Sequence, residues 1–159
     1  MNVLLSIKPR FVEEIKNGNK KYEFRKSLFN KKNLNKIEKV FIYSSSPVQK
    51  IVARFFISLI LEDHPNVLWE KCKNYSGIEK VEFFKYFGEN KRGLAIEISD
   101  LKFYKKPIEP KSIFPNFVAP QSFCYVDDIE RFEKITKFFW ILCENSINQV
   151  IHRCFNPET

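Results

Sequence analysis

The chain has 159 residues, 44% hydrophobic and 16% aromatic, which is enough apolar material for one domain with a sizeable core and excludes disorder as its main state. Residues 1–50 hold 12 Lys and Arg against 4 Asp and Glu, a difference of +8, while residues 51–159 hold 15 against 15. The whole net charge of +8 therefore sits in the first third, and a basic first third beside a neutral remainder points to an anionic partner, nucleic acid foremost.

In chain order, Asn2–Ile7 reads as a strand, and Pro9 suits the first turn of a helix whose apolar face is Phe11, Val12 and Ile15. Gly18 is placed to cap it. Lys21–Arg25 alternates, so Tyr22 and Phe24 face one side and Lys21, Glu23 and Arg25 the other. Residues 26–38 read as a Lys/Asn-rich loop, Val40–Ser44 as a strand ending in the turn Ser44-Ser45-Ser46-Pro47, and Ile51–Leu61 as a long, bent apolar strand. Pro65–Tyr75 and Glu79–Phe87 predict two short helices. Leu94–Phe103 alternates as a strand whose parity breaks at Leu101, and residues 105–122 are Pro-rich and irregular. A last helix, capped by Asp127 or Asp128, runs to about Ile151. Its apolar face is wide enough for burial or for a homodimer contact.

Most of the 17 Phe are expected in the core, since soluble proteins rarely expose large apolar patches. No signal peptide is expected, because charge follows Met1–Ile7 at once, and no window is apolar enough to span a membrane. Cys72, Cys124, Cys143 and Cys154 form no CxxC pair, and with His64 and His152 they make no zinc pattern. They read as reduced thiols of a cytoplasmic protein, and no cofactor is implied.

The densest chemistry lies in Ser6-Ile7-Lys8-Pro9 and in Gly18-x-Lys20-x-x-Glu23-x-Arg25. This pair of blocks resembles the ASCH (activating signal cointegrator homology) domain of the PUA-like superfamily. Val40–Ile51, Leu68-Trp69-Glu70-Lys71 and Pro120-Gln121-Ser122-Phe123-x-Tyr125 extend the resemblance over residues 1–126. It implies an α+β fold, a small PUA-like pseudo-β-barrel with peripheral helices, to which residues 127–159 add an extra C-terminal helical extension. It also implies a cleft for RNA, another single-stranded nucleic acid or a nucleotide.

The residue chemistry agrees with that implication. Lys8, Lys20, Lys21 and Arg25 can meet phosphates or a base edge, and Glu23 can accept from an exocyclic amine. Ser45, Gln121 and Ser122 add hydrogen-bonding groups, while Phe123 and Tyr125 can stack on a splayed base or plug the core. Read blandly, Gly18 only caps a helix, Lys20 and Lys21 form a solvated turn, and Glu23 with Arg25 is a surface ion pair worth little.

One ASCH branch hydrolyses N4-acetylcytidine with a Lys, a Thr and a Glu. Lys20 matches that Lys, Glu23 stands at the Thr, and Ser76 aligns with the Glu, with Glu70 and Glu79 nearby. Some ASCH proteins are thought to cleave RNA. The leading expectation is thus nucleic-acid binding through a basic cleft, with a ribonuclease or nucleobase amidohydrolase acting through Lys20 and Glu23 as the alternative, and a protein-interaction module behind both.

The charge split makes binding to RNA or single-stranded DNA steeply salt-dependent, because cations that neutralise phosphates release counterions. A titration between low and moderate salt should show the fall; no binding even at low salt would sink the expectation.

Overall fold

A computed structural model describes residues 1–27 and 36–126. The chain divides into two units, Met1–Val126 and Asp127–Thr159. The expected C-terminal helix and most of the expected 26–38 loop lie outside the described residues.

The first unit is a mixed six-stranded sheet with short helices. Its elements are β1 (Asn2–Ile7), α1 (Pro9–Lys16), β2 (Tyr22–Arg25), β3 (Lys39–Ser44), β4 (Lys50–Asp63), α2 (Pro65–Cys72), α3 (Lys80–Phe87), β5 (Gly93–Ile108) and β6 (Phe123–Val126). Single 3₁₀ turns occur at Lys73–Tyr75 and Pro110–Ser112. The strand order is β2-β5-β4-β3-β1-β6, with β1 and β3 parallel and every other pair antiparallel.

The local chemistry explains most of these elements. Pro9 opens α1, Lys16 lies in its last turn where a cation favours the helix dipole, and Val12 and Ile15 are buried. Gly18 follows at φ +79°, its N–H donating to the Ile15 carbonyl. His64 caps α2, its Nδ1 accepting from the Asn66 N–H at 3.2 Å. β4 bends because its pairing shifts register between Ile51 and Ala53, Arg54 and Phe56, and Ile57 and Leu59. The parity break before Leu101 coincides with Asp100 at φ +42°, opposite the second of those shifts.

Three expectations need correction. β5 runs on to Ile108, because pairing with Ile51 continues it through Pro107 into the segment read as irregular. Phe123–Val126, read only as a motif, is a strand: β1 offers an open edge, and Asn2 to Leu5 pair with Val126 to Phe123. In β2, Glu23, Phe24 and Arg25 are all buried, which sets aside the bland reading of Glu23 and Arg25 as a surface ion pair.

Among the described residues, two apolar clusters bear on the position of α1, α2 and α3. Val3, Leu5 and Ile7 of β1 pack with Val40 and Ile42 of β3, Phe55 of β4, and Val12 and Ile15 of α1. Phe24 and Ala95 pack with Leu68, Cys72, Phe83 and Phe87 from α2 and α3. Phe83 centres the second cluster, its ring 4.9 Å from Phe24, 4.8 Å from Phe87 and 5.1 Å from Trp69. Each such side chain contributes about 1.5–3 kcal/mol on burial. The first cluster anchors α1 through Val12 and Ile15, and the second anchors α3 through Phe83 and Phe87.

The outer strands of the sheet are also linked by a side chain. Arg25, at the end of β2, donates through Nη1 to the Ser122 hydroxyl at 3.1 Å and the Ser122 carbonyl at 3.3 Å, and through Nη2 to the Ser6 carbonyl at 2.9 Å. β2 and β6 are opposite ends of the strand order, so the sheet curls until one guanidinium spans its ends. The closure expected of a pseudo-barrel is made here by Arg25. Arg25→Ala should cost about 3–5 kcal/mol, because it leaves the Glu23 carboxylate buried without its nearest cation. The double variant Arg25→Met with Glu23→Gln should recover part of that loss; denaturant unfolding of both checks it, and equal destabilisation would show that closure, not charge, dominates.

Candidate functional site

The site begins with the backbone of Lys20. Its N–H donates to the Glu14 carbonyl at the end of α1, and it forms an isolated antiparallel bridge with Ser76. The next N–H, of Lys21, donates to the Tyr75 carbonyl. Lys20 is thus held between α1 and the 73–76 turn. Gly77 makes the fit possible: it sits at φ +58°, and a Cβ there would lie 2.4 Å from the Lys20 Cβ.

So fixed, the Lys20 side chain is buried, with 3% of its surface exposed. Its Nζ donates to the Ser76 carbonyl at 3.1 Å, lies 4.6 Å from the centre of the Phe24 ring, and reaches Glu23 Oε2 at 3.6 Å. Glu23 Oε1 meets Arg25 Nη2 at 2.9 Å. One buried carboxylate therefore lies between two buried cations. Burial pushes the Lys20 ammonium below the ordinary lysine range, and the Glu23 carboxylate opposes that only in part. The Arg25 Nε is enclosed and has no hydrogen-bond acceptor among the described residues.

These three groups line a cavity of about 560 Å³ together with Lys8, Ser45, Gln121 and Ser122. Its size suits a small organic ligand. Seven of the ten residues singled out in the sequence are thereby brought together. Lys21, Phe123 and Tyr125 do not line it. Lys21 extends over the Tyr75 ring, its Nζ 3.9 Å from the centroid. Phe123 packs against the first apolar cluster, as the core-plug alternative has it, and Tyr125 is exposed beside it on β6.

Sequence reasoning missed Arg10, Glu82, Tyr43 and Tyr86, which also line the cavity. Arg10 and Glu82 pair across from α1 to α3, a contact 72 residues apart that no local pattern signals. Tyr43 and Tyr86 looked like ordinary core positions of a strand and a helix. Ser76, aligned with a catalytic Glu, instead supplies the carbonyl that holds Lys20, and its hydroxyl is spent on the Lys73 and Ile78 carbonyls. Glu70 is exposed and paired with Lys73. Cys72 is no nucleophile, since burial pushes its thiol up to about 11. Among the described residues no group of three or more His, Cys, Asp or Glu is placed to hold a metal, and no helix is long and apolar enough to cross a membrane.

Comparison with solved structures gives the architecture its class. The ASCH protein of Zymomonas mobilis superposes with a TM-score of 0.73 at 22% identity, over 85% of this chain and 94% of that one. A single-substitution variant of it gives 0.73 at 21% identity, over 85% and 96%. The fold is that of these ASCH structures. The chain belongs to the family described as domain of unknown function DUF365, whose family model matches residues 2–119.

Among curated proteins, the ASCH domain-containing ribonuclease of Zymomonas mobilis is 25% identical over 130 residues, covering 77% of this chain and 82% of that protein. A segment of 91 residues is 34% identical to ATP synthase subunit alpha of Ureaplasma parvum, which is 57% of this chain and 11% of that subunit. The chain thus spans about a tenth of the subunit's length.

The close approach at Gly77 generates a prediction. Gly77→Ala adds a Cβ that must displace Lys20 or break the 76–78 turn, and it also strains a positive φ, at a combined cost of about 1–3 kcal/mol. The ε-amine resonance of Lys20 should move toward the ordinary lysine pKa as the side chain leaves its enclosure. An unchanged Lys20 titration in a folded Gly77→Ala protein would show that Gly77 does not position it.

Proposed function

We propose that this protein acts on RNA, drawing one unstacked nucleotide into the cavity and cleaving the adjoining phosphodiester. The observation that carries the reading is the buried Lys20–Glu23–Arg25 cluster lining a nucleotide-sized space. Four cations (Lys8, Arg10, Lys20 and Arg25) line that space against two carboxylates, Glu23 and Glu82, which favours an anionic ligand. A cluster that served only to hold a strand backbone would sit in an open groove and would not need its lysine desolvated. The Zymomonas mobilis ribonuclease supports the same substrate class.

In this mechanism Lys20 acts as base. Burial lowers its affinity for the proton, so the free amine forms closer to neutral pH than in an ordinary lysine. The amine takes the proton of the ribose 2′-hydroxyl. The 2′-oxygen attacks phosphorus, the P–O5′ bond breaks with its electron pair going to the 5′-oxygen, and that oxygen takes a proton from water. The products are a 2′,3′-cyclic phosphate and a 5′-hydroxyl. Arg25, fixed by Ser6, Ser122 and Glu23, is a preorganised cation for the charge that develops on the phosphorane. Glu23 keeps both cations in register.

The test compares neighbours. Lys20→Ala should reduce RNA cleavage by about 10²–10⁴-fold, the usual worth of a positioned proton acceptor. Lys21→Ala should only weaken binding modestly, because its amine lies over Tyr75 outside the cavity. Cleavage by the unaltered protein should rise with pH, because the reacting form of Lys20 is the deprotonated one. Equal, small, salt-dependent losses in both variants would leave a binding protein, and turnover of acetylcytidine in place of RNA would make it an amidohydrolase.

A further inference from the structure

A second cavity, of about 540 Å³, adjoins the first. The two share Arg10, Phe11, Ile78 and Glu82, so they are contiguous, and the Ser76–Gly77 backbone that fixes Lys20 forms part of the second one's wall. Their chemistry differs. Among the charged groups of the first, four cations stand against two carboxylates. The second has Glu14, Glu79 and Glu82 against Arg10 alone, with the amides of Asn19 and Asn74 and the ring of Tyr75. The Arg10 guanidinium stands on the border, 4.4 Å from the centre of the Phe11 ring.

A carboxylate-rich wall repels phosphate but accepts hydrogen bonds from exocyclic amines. An amide can bond a base edge in both directions. Tyr75 is 46% exposed, which leaves ring surface for a base, and Lys21 Nζ at 3.9 Å adds a cation to the ring. A cavity with excess cations, then the Arg10–Glu82 pair at the border, then an acidic and aromatic wall, is an order that fits a nucleotide, a linking phosphate that shares Arg10 with Glu82, and the next base.

We propose that the second cavity is a base subsite for the nucleotide adjacent to the one in the first cavity, that it stacks the base on Tyr75, and that it prefers bases carrying an amino group over uracil. The proposal rests on the reading of the first cavity as an RNA site. It makes the substrate class a single strand at least two nucleotides long, recognised at the second base by Glu14, Glu79, Asn19 and Asn74. Glu14 is oriented for this by Asn19, whose Nδ2 donates to Oε2 at 3.0 Å.

Fluorescence anisotropy with four labelled tetranucleotides, of A, C, G and U, tests it. Each carries 2′-fluoro riboses, which cannot supply the attacking hydroxyl. The U tetramer should bind about tenfold more weakly than the others, the size expected of one lost base-edge pairing. Tyr75→Ala should weaken the A, C and G tetramers by about tenfold, as loss of one stacked base does, while leaving a labelled mononucleotide unaffected. Tyr75→Phe should restore binding. Glu79→Gln should narrow the gap between C and U.

Equal binding of the four tetramers, or tetramer affinities unmoved by Tyr75→Ala, overturns the subsite. So does a mononucleotide that loses affinity as much as the tetramers do, since the effect would then be structural. The expected pattern without cleavage of ordinary RNA would sink the hydrolytic reading and leave the subsite standing. Cleavage without the pattern would do the reverse.

Discussion

Everything in the site depends on one buried carboxylate. Glu23 sits on the short strand β2, and it is 7% exposed. A carboxylate so enclosed must be paired or protonated, because the cost of removing its charge from water is several kcal/mol. Lys20 and Arg25 supply the pairing, one from each end of β2. The same two cations then satisfy backbone groups far away in sequence: Lys20 bonds Ser76, 56 residues on, and Arg25 bonds Ser122, 97 residues on. Glu23 thus ties the turn before α3 and the segment before β6 to a four-residue strand. Without it the two cations would repel each other in the same enclosed space.

The aromatic content serves this arrangement. Phe24 and Phe83 meet edge to face at 4.9 Å, and the Lys20 ammonium lies 4.6 Å from the Phe24 ring centre. The ring offers a largely desolvated cation a negative face. Gly93 admits the same cluster from the sheet side, since a Cβ there would lie 2.4 Å from Phe87 Cε1. Packing and electrostatics are therefore not separate layers here. The apolar cluster that orders α2 and α3 is also what desolvates Lys20.

Much of the fold was legible because its signals are local. β1, α1 and α3 lie within a residue or two of where Pro9, Gly18 and the apolar spacing put them, and the bend in β4 and the parity break at Leu101 were both visible as irregular patterns. β6 was not legible as a strand, since Phe123–Val126 gains its structure only from the open edge of β1. In the site, Lys20, Glu23 and Arg25 stood out because charged residues among aromatics on a strand must be explained. Arg10 and Glu82 did not, because each alone is an ordinary charge on a helix face and only the packing of α1 near α3 makes them partners. Lys21 shows the opposite failure. Two adjacent lysines look alike in sequence, yet one residue of offset sends the first into the cavity and the second onto the Tyr75 ring.

That offset bears on why the cluster exists. Three buried ionisable groups around one strand are a poor way to stabilise a small domain; apolar side chains of the same volume would do as well or better. The chain has an ample supply of such residues, and it places them on both sides of the cluster. Local rules broken amid otherwise consistent packing are expected where a protein keeps a site at the expense of stability. The geometry has the matching asymmetry. Lys20 and Glu23 are anchored through backbone contacts and a glycine that leaves no slack, while the cavity they line is open enough to admit a ligand. Rigidity on the protein side and space on the other is what a site must have if it is to hold a reacting group in one geometry. An ion pair that merely closed a barrel would need neither the glycine nor the space.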